Sequence, residues 1–404
     1  MKTAIVALYP YEAQGLDAWL DHGAGMTYTA TREAGVPVDF VDMKGLRDDN
    51  ELADRLRGYD LVALGLKSSY YPIAMRVIAI AKAQGCRVLV GGYHATAAPH
   101  ELRDNPNIDW VLRGESEITF PEFLKHPDTF PREVFGEKPP DLDALPFMRR
   151  DMYHRPLEPV SGWWHGGQRH NMVSVVSARG CPYGCAFCQP LEYNHFGPKV
   201  RRRSVGNVIA ELLELKRQYQ PDSVVIHDDT FLIDPKWLEE FVQEYPRVGL
   251  PFWAAGRADG ICRHHDLVRR LIGVGWELVS VGFESGSQRI LDIIEKGTTV
   301  AENLEAARIV KAAGAKLYAN YILGLPWEKR EDVQATMKMA DTIAAEMPSW
   351  AYFAPYPGCK LGERCIREGL SLLDRNNYDR YPGGVKCRGV DYVYLDAARK
   401  GLRE

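Results

Sequence analysis

Short apolar segments alternate with helical segments along almost the whole chain, and this alternation constrains the fold more than any other feature. The apolar segments of residues 1–140 are TAIVALYP, VPVDFVDM, LVALGLKS, CRVLVGGYH and IDWVLRGE. The stretch YYPIAMRVIAIAKAQG between two of them carries apolar residues at spacings of three and four. Strands separated by helices form parallel sheets covered on both faces. The pattern therefore predicts an α/β, Rossmann-like doubly wound domain over residues 1–140.

A second alternating series follows a segment rich in proline and charge. Its apolar segments are MVSVVSARG, SVVIHDDTF, PFWAAGRAD, LVSVGFESG, KLYANYILG and WAYFAPYPG. Six strand–helix units are too few for a complete eight-stranded barrel. We therefore expect a linker over residues 141–169, a partial (β/α)6 barrel over 170–358 and a short C-terminal extension over 359–404.

Composition narrows the function classes. The 50 basic and 54 acidic residues give a net charge of −4, which does not favour a nucleic-acid partner because such proteins usually carry a basic face. No stretch approaches the roughly 18 apolar residues of a membrane span, and the first residues do not resemble a signal peptide. We predict a cytoplasmic protein that does not contact membranes.

Three of the eight cysteines stand together in the segment SARGCPYGCAFCQP. Cys181, Cys185 and Cys188 follow a predicted strand with CxxxCxxC spacing, and a reducing compartment favours metal binding or catalysis over disulfides. Such a loop can hold three irons of a cubane 4Fe–4S cluster and leave the fourth without a protein ligand. Zinc, which normally takes four ligands, is the weaker alternative, with His195 as the nearest histidine. Simple buried thiols are the other alternative.

The remaining cysteines are dispersed. Cys359, Cys365 and Cys387 lie near the end of the chain at a spacing that matches no cluster pattern. They are either a second metal centre or ordinary buried thiols, which are common in protein interiors.

The cysteine motif, with Phe187 before its last cysteine on the first strand of a partial barrel, resembles the radical S-adenosylmethionine (SAM) superfamily. In that family the open iron chelates the amino and carboxylate groups of SAM, and reductive cleavage yields an adenosyl radical that abstracts hydrogen. The resemblance implies a cluster on Cys181, Cys185 and Cys188. It also implies SAM contacts from Phe187, Asp228, Asp229, Arg257, Glu284, Ser285 and Leu325.

Two motifs at later strand ends carry this resemblance. The segment HDDTF (227–231) resembles the position that contacts the SAM amino group, because carboxylates accept hydrogen bonds from ammonium; a helix cap is the alternative. The segment GFESGS (282–287) resembles the ribose motif, in which Glu284 would bond the ribose hydroxyls and Ser285 would support it. A buried carboxylate with a purely structural partner is the alternative there.

Weaker signals come from the remaining strand ends. Arg257 could pair with the SAM carboxylate, a substrate acid or a structural carboxylate. The segments LGLPWE (323–328) and APYPG (354–358) resemble the family's adenine-supporting and substrate-facing ends, although Gly and Pro also form simple turns. The candidates for contact with substrate are Tyr318, Tyr321, Tyr352 and Tyr356. The run KVRRR (199–203) is interpreted as a solvated face, or as an attractor of anions or of an electron donor. The segment SGWWHGG (161–167) covers the active site or packs against it.

Residues 1–140 resemble the cobalamin-binding domain that precedes the barrel in one branch of the superfamily. The resemblance rests on VGGYHAT (90–96) and WVLRGESE (110–117), in which glycines allow close approach of a flat corrin. Neither DxHxxG, which supplies a lower-ligand histidine, nor the dinucleotide signature GxGxxG occurs. The implied cobalamin contacts are Lys67, Ser68, Ser69, Tyr70, Gly91, Gly92, Tyr93, His94, Gly114 and Glu115. His94 is either a cobalt ligand or an ordinary hydrogen-bonding residue, and a doubly wound domain without ligand or with a nucleotide is the alternative for the whole segment.

The combination resembles cobalamin-dependent radical SAM methyltransferases. The resemblance implies methyl transfer from SAM through methylcobalamin to an unactivated carbon of a small metabolite or of a peptide, such as the glutamine Cα of methyl-coenzyme M reductase. An electron donor such as flavodoxin or ferredoxin is implied as partner. The alternatives are a non-methylating cobalamin enzyme that catalyses cyclisation or ring rearrangement, and a methylthiotransferase-like RNA-modifying enzyme.

Overall fold

The computed structural model describes residues 1–11, 19–160, 170–188 and 198–401, and divides into two compact units. The first unit comprises Met1–Ser161 with Arg375–Tyr378, and the second comprises Gly162–Asp374 with Asp379–Glu404. Much of the segment expected to be a linker packs within the first unit, since Met148 and Tyr153 belong to its core. The segment 161–167, predicted to cover or flank the site, lies outside the described residues.

The first unit contains a six-stranded parallel sheet. Its strands are β1 (Thr3–Ala7), β2 (Asp39–Asp42), β3 (Leu61–Gly65), β4 (Arg87–Gly91), β5 (Trp110–Arg113) and β6 (Glu133–Phe135). The spatial order is β2-β1-β3-β4-β5-β6, and every pair is parallel. The chain changes direction across the sheet between β1 and β3, and ligands of such sheets bind in the crevice beyond the strand ends at this point. The doubly wound fold is confirmed.

Helices cover both faces of this sheet, because strands such as β1 are buried along their whole length. They are α1 (His22–Glu33), α2 (Asp49–Leu56), α3 (Tyr71–Ala83), α4 (Gly92–Ala97), α5 (His100–Arg103) and α6 (Thr119–Lys125). Single 3₁₀ turns occur at Met43–Gly45, Ser68–Tyr70 and Pro127–Thr129, and a short strand β7 spans Glu158–Val160.

The second unit contains an open, partial barrel. Its strands are β8 (His170–Val175), β9 (Ala178–Arg179), β10 (Arg201–Arg202), β11 (Ser223–Ile226), β12 (Phe252–Gly256), β13 (Trp276–Glu284), β14 (Lys316–Leu323) and β15 (Met347–Tyr352). Strand β8 and strands β11 to β15 pair in parallel with their neighbours in chain order. The two-residue strands β9 and β10 pair antiparallel beside them. The six-unit partial barrel is confirmed.

Helices form the outer layer of the second unit. They are α7 (Val205–Tyr219), α8 (Pro235–Glu244), α9 (Ala258–Arg263), α10 (His265–Gly273), α11 (Gln288–Ile293), α12 (Val300–Ala312), α13 (Arg330–Ile343), α14 (Lys360–Arg367) and α15 (Tyr392–Arg399), with a 3₁₀ turn at Tyr245–Arg247. Alternate residues of β14 are buried, as expected for a strand whose one face is covered by helices. Among the helices described, none is both long and apolar enough to cross a lipid bilayer.

Candidate cofactor sites

The three clustered cysteines lie on the loop that follows β9. The backbone N–H of Cys188 donates to the carbonyl of Cys185 at 3.1 Å, which curls the loop. Between them, the N–H of Ala186 donates to the carbonyl of Ile294 at 2.8 Å, beyond α11. The loop that carries Cys181, Cys185 and Cys188 is therefore curled on itself and tied to a neighbouring strand–helix unit.

The three thiols differ in accessibility, because Cys185 is buried, Cys181 is partly buried and Cys188 is exposed. Burial raises the pKa of Cys181, and the charges of Asp229 and Cys185 add to this rise. Desolvation by surrounding protein atoms raises the pKa of Cys188 to about 12, although the residue is accessible to solvent. Asp229 is likewise accessible while burial raises its pKa. Three free thiols on one curled loop, with Cys188 accessible, fit a 4Fe–4S cluster that leaves one iron open.

Asp228 and Asp229 have different surroundings. Asp228 is buried and accepts hydrogen bonds from the backbone N–H of Ser177 at 2.7 Å, the Ser177 hydroxyl at 2.5 Å and the N–H of Ala178 at 2.9 Å. Its carboxylate is occupied in holding the strand that leads into the cysteine loop. Asp229 accepts from the backbone N–H of Gly180 and stays accessible, so of the two it is the one placed to receive an ammonium group.

The Arg257 side chain contacts the cysteine loop. The side chain is 7% exposed and donates through Nε to Asp259 at 3.0 Å and through one terminal nitrogen to the Lys296 carbonyl at 2.6 Å. Its other terminal nitrogen lies 3.5 Å from Sγ of Cys185, and the guanidinium stacks 3.6 Å from the ring centre of Tyr183. The structural ion pair weighed from the sequence is present, and pairing with a ligand carboxylate would require exchange of one of these contacts.

Glu284 closes β13 in an unusual conformation. Its φ of 62° lies in the left-handed region, and the pairing of β13 with β14 shifts register between Gly282 and Glu284. The Lys296 ammonium donates to Glu284 Oε1 at 2.8 Å. Sequence reasoning missed Lys296, because a lysine after a short helix carries no signal of burial.

Ser285 supports the same turn. Its hydroxyl lies 3.0 Å from the hydroxyl of Thr336 on α13, which also accepts the N–H of Gly286 at 3.0 Å. The next hydroxyl, on Ser287, donates to Asp332 at 2.6 Å. The turn after β13 is thus fastened to α13 by side chains, in line with the supporting role that the resemblance gives to Ser285.

An apolar cluster lies beside the cysteine loop. It contains Leu325 and Phe187, and also includes Ala186, Ile290, Leu291, Ile294, Phe353, Leu361, Cys365 and Cys387. The ring centre of Phe187 lies 5.7 Å from the Lys296 ammonium. Phe187, on the cysteine loop, therefore packs against the apolar cluster to which Leu325 belongs, and both stay predicted SAM contacts.

Glu328 is a second residue that sequence reasoning missed. Its Oε2 accepts the N–H of Gly324 at 2.6 Å, whereas Oε1 is buried and has no hydrogen-bond partner among the described residues. Burial raises the pKa of Glu328 to about 8. The carboxyl was visible in LGLPWE, but its burial could not be inferred from that motif.

Two of the four candidate tyrosines do not face the barrel interior. Tyr321 belongs to the buried, helix-facing set of β14, and its ring stacks on Trp350 at 4.7 Å. The Tyr352 hydroxyl donates to Asp396 on α15. Both tyrosines therefore lie in the layer between strands and outer helices, which does not favour their predicted contact with substrate.

The other two tyrosines stay partly accessible. Tyr318 lies on the opposite face of β14 from Tyr321, with its ring centre 5.5 Å from that of Trp253. Burial raises the pKa of Tyr356 to about 12, and the nearby Asp379 adds to the rise. Both stay candidates for contact with substrate.

The basic run KVRRR is not a solvated face at its last two residues. Arg202 donates to the carbonyl of Phe231 at 3.0 Å and stacks 4.4 Å from the Trp237 ring centre. Arg203 pairs with Glu211 at 2.5 Å. These two side chains are structural, so the expectation of a solvated face is wrong for them.

The late cysteines have separate local roles. Cys359 Sγ caps α14 by accepting the N–H of Gly362 at 3.3 Å. Cys365 and Cys387 are buried and hydrogen-bonded to each other, which lowers the pKa of Cys365 and raises that of Cys387. The geometry agrees with the interpretation of these three residues as buried thiols.

In the first unit, His94 lies between the Ser68 hydroxyl and the Glu101 carboxylate. The residue is fully buried, its Nδ1 lies 3.1 Å from the Ser68 hydroxyl, and its Nε2 lies 3.4 Å from Oε2 of Glu101. The Tyr378 hydroxyl donates to the other oxygen of Glu101 at 2.8 Å. Nε2 has no hydrogen-bond partner among the described residues, although it faces the Glu101 carboxylate. The burial of His94 favours a role inside the protein, and its relation to cobalt stays a prediction.

Glycines end β3 and follow β4 on the loops beside His94. Gly92 has φ of 88°, and a Cβ there would lie 2.7 Å from the backbone nitrogen of Leu66, so only glycine fits. A Cβ on Gly65 would meet nothing within 4 Å, and Tyr93 is 52% exposed. The other predicted contacts on these loops are Lys67, Ser69, Tyr70, Gly91, Gly114 and Glu115. Glycines at the carboxyl ends of β3 and β4, next to the direction change between β1 and β3, fit the close approach of a corrin.

Comparison with known proteins decides the family. Residues 175–340 match the Radical SAM superfamily, and residues 18–124 match the B12 binding domain. The chain belongs to the cobalamin-dependent radical SAM enzymes. The family's cofactors are a 4Fe–4S cluster, SAM and cobalamin.

Several relatives are similar to this chain over most of its length. An uncharacterized methyltransferase of Pyrococcus horikoshii is 29% identical over 83% of this chain and 76% of its own length. The cytidylyl-2-hydroxyethylphosphonate methyltransferase of Streptomyces wedmorensis is 26% identical, covering 91% and 77%. Among solved structures, the radical SAM methyltransferase TsrM of Kitasatospora setae superposes with a TM-score of 0.71 at 16% identity, covering 91% of this chain and 76% of that one. That structural likeness shows the shared fold of this cobalamin-dependent radical SAM enzyme.

Proposed function

We propose that the protein is a C-methyltransferase that moves a methyl group from SAM, by way of cobalamin, to an unactivated carbon. The observation that carries the proposal is the curled loop with three free cysteines, in a chain that also contains a doubly wound parallel sheet of the kind that binds cobalamin. The methyltransferases among its relatives support the same reaction class.

The chain's own residues would bind and orient the cofactors. Cys181, Cys185 and Cys188 would hold the cluster, with Arg257 adding a positive charge beside Cys185. Asp229 would accept a hydrogen bond from the SAM ammonium, while Asp228 keeps the loop in place. When bound, cluster and SAM supply a hydrogen-abstracting radical, and cobalamin supplies the methyl group.

Further residues would hold the nucleoside part of SAM and exclude water. Glu284 would accept the ribose hydroxyls on a turn that Ser285 fixes to α13. The apolar cluster around Leu325 and Phe187 would pack against the adenine and exclude water from the reacting centre. The loops of Ser68–Tyr70 and Gly91–His94 would border the corrin.

The substrate is proposed here as a chemical class. We propose a peptide carbon, with the glutamine Cα of methyl-coenzyme M reductase as one specific hypothesis, or a small metabolite. In either case a low-potential electron donor such as flavodoxin or ferredoxin would reduce the cluster.

Product mass tests the proposal. Anaerobically purified, reconstituted protein is incubated with hydroxocobalamin, reductant and SAM carrying a deuterated methyl group, and iron, sulfide and corrin are quantified after gel filtration. The proposal expects about four irons per chain, bound corrin, and a product heavier by one labelled methyl group. Bound corrin and SAM cleavage without any methylated product would contradict it.

A non-methylating reaction is the second candidate. The anaerobic magnesium-protoporphyrin IX monomethyl ester cyclase of Cereibacter sphaeroides is 28% identical over 90% of this chain and 62% of its own length. In the same assay a cyclisation would change the substrate mass only by loss of hydrogen or gain of oxygen. The labelled methyl group therefore separates the two candidates in one experiment.

A further inference from the structure

Lys296 is a buried cation next to the cysteine loop. The residue is 7% exposed, and its ammonium donates to Glu284 Oε1 at 2.8 Å. The ammonium also lies 5.7 Å from the ring centre of Phe187, which precedes the last cysteine of the loop. A charge removed from water is stable only when it is paired, and Glu284 is the paired carboxylate.

The backbone of Lys296 is fixed independently of its side chain. Its N–H donates to the carbonyl of Leu291 at 3.0 Å, and its carbonyl accepts from Arg257 at 2.6 Å. The same guanidinium reaches Sγ of Cys185 at 3.5 Å. Lys296 therefore lies between the cysteine loop and the end of β13, and its fixed backbone keeps the ammonium close to the Glu284 carboxylate.

The space for the ion pair is made by Gly282. A Cβ on Gly282 would stand 2.1 Å from Glu284 Oε1 and 2.9 Å from the Lys296 ammonium, so any larger residue would displace the pair. Glu284 also adopts φ of 62°, a conformation that L-residues rarely hold unless surrounding contacts impose it. Three features thus converge on one orientation of the Glu284 carboxylate.

We propose that Lys296 is a positioning residue that fixes Oε1 of Glu284, so that Oε2 is presented to the ribose hydroxyls of SAM. Among the described residues only Oε1 has a hydrogen-bond donor, which leaves Oε2 for the ligand. The inference deepens the proposed function and rests on SAM binding at this turn. It assigns to Lys296 an effect on SAM affinity and not on iron ligation.

The test compares four variants of the full-length, anaerobically reconstituted protein. They are Lys296→Met, Lys296→Arg, Glu284→Gln and the double variant of Lys296→Met with Glu284→Gln. The matched control is Lys216→Met, which removes a partly buried lysine on α7 whose ammonium donates to the Val248 carbonyl at 2.6 Å. Iron content, the dissociation constant of SAM, and the change of the reduced-cluster EPR spectrum on adding SAM are measured for each.

Lys296→Met is expected to keep its iron and to bind SAM about tenfold to a hundredfold more weakly, as when one partner of a buried charged pair is lost. Lys296→Arg should restore part of the affinity, and the double variant should be no weaker than Glu284→Gln alone. Lys216→Met should bind SAM like the wild type.

Wild-type SAM affinity in Lys296→Met, or loss of iron in both Lys296 variants, would overturn the inference. The second result would assign Lys296 to the cysteine loop. Failure of the proposed function looks different, because the wild-type protein itself would then bind no SAM or form no methylated product.

Discussion

The carboxylate of Asp228 accepts two hydrogen bonds from Ser177. The Ser177 backbone N–H donates at 2.7 Å and the Ser177 hydroxyl at 2.5 Å. Ser177 is fully buried and lies four residues before Cys181. The end of β11 therefore sets where the cysteine loop begins, although Asp228 itself lies outside that loop.

Asp228→Ala should loosen this connection. The substitution leaves buried donors of Ser177 and Ala178 without an acceptor, at a cost of roughly 1–3 kcal/mol for each, and should reduce iron content after reconstitution. Asp234→Ala is the control, since Asp234 caps α8 and should cost about 1 kcal/mol without loss of iron. Denaturant unfolding and iron quantification measure both effects, and full iron in a destabilised Asp228→Ala protein would contradict the prediction.

Replacement of any one of Cys181, Cys185 and Cys188 by alanine should abolish the cluster. A cubane bound by three thiolates loses one of its anchoring irons when one ligand is removed, so we expect well under the roughly four irons per chain of the wild type and no cleavage of SAM. Cys262→Ala is the control, because Cys262 is a partly buried thiol that contacts the Glu302 carbonyl at 3.5 Å. A Cys185→Ala protein with a normal cluster spectrum would refute the assignment.

Gly286→Ala should destabilise the second unit. A Cβ at residue 286 would stand 2.3 Å from the Ala335 carbonyl oxygen on α13, and such overpacking costs roughly 1–3 kcal/mol. Gly206→Ala on α7 is the matched control, since its Cβ would meet nothing within 4 Å and alanine favours a helix by about 0.5–1 kcal/mol. Urea unfolding should move in opposite directions for the two variants, and equal stability would show that α13 can shift.

His94→Gln should leave the cobalt coordination unchanged. His94 is fully buried between Ser68 and Glu101, so we expect the EPR spectrum of the Co(II) form to lack imidazole nitrogen splitting in wild type and variant alike. Corrin retention should fall, because the Ser68 loop loses its partner. His126→Gln, at an exposed position, is the control for retention. Nitrogen splitting that is present in wild type and disappears in His94→Gln would show that His94 rotates onto cobalt.

Glu328 should make stability fall with rising pH. Burial raises its pKa from 4.5 to about 8, so between these values the folded protein keeps a proton that the unfolded chain has released. The free energy of unfolding then decreases with pH in this window, by at most about 1.4 kcal/mol per unit from this group. Urea unfolding at pH 5.5 and 8 should show a smaller decrease in Glu328→Gln than in wild type. Equal decreases would mean that Glu328 ionises normally.

The fold followed from the sequence because strand and helix periodicities are local properties. The cysteine loop was equally visible, since three thiols in eight residues at a strand end have few other uses. The role of Lys296 could not be predicted from the sequence. Its burial depends on Gly282 and Glu284, which approach it only after β13 and α11 have packed.

One of the two misplaced tyrosines could have been assigned from the sequence pattern, and the other could not. Tyr318 and Tyr321 are an odd number of residues apart on one strand, so the period of two already places them on opposite faces. Tyr352 could not be assigned in that way. Its hydroxyl binds Asp396 on α15, and no local pattern places that helix against β15.

Arg375–Tyr378 belongs to the first unit, although the chain on either side of it belongs to the second. Glu101 therefore receives a hydrogen bond from a tyrosine 277 positions further along. The first unit is consequently not a continuous segment of the chain. A chimaera that exchanges only residues 1–161 with another family member would leave the Glu101 carboxylate without this donor. Such a chimaera must also exchange Arg375–Tyr378.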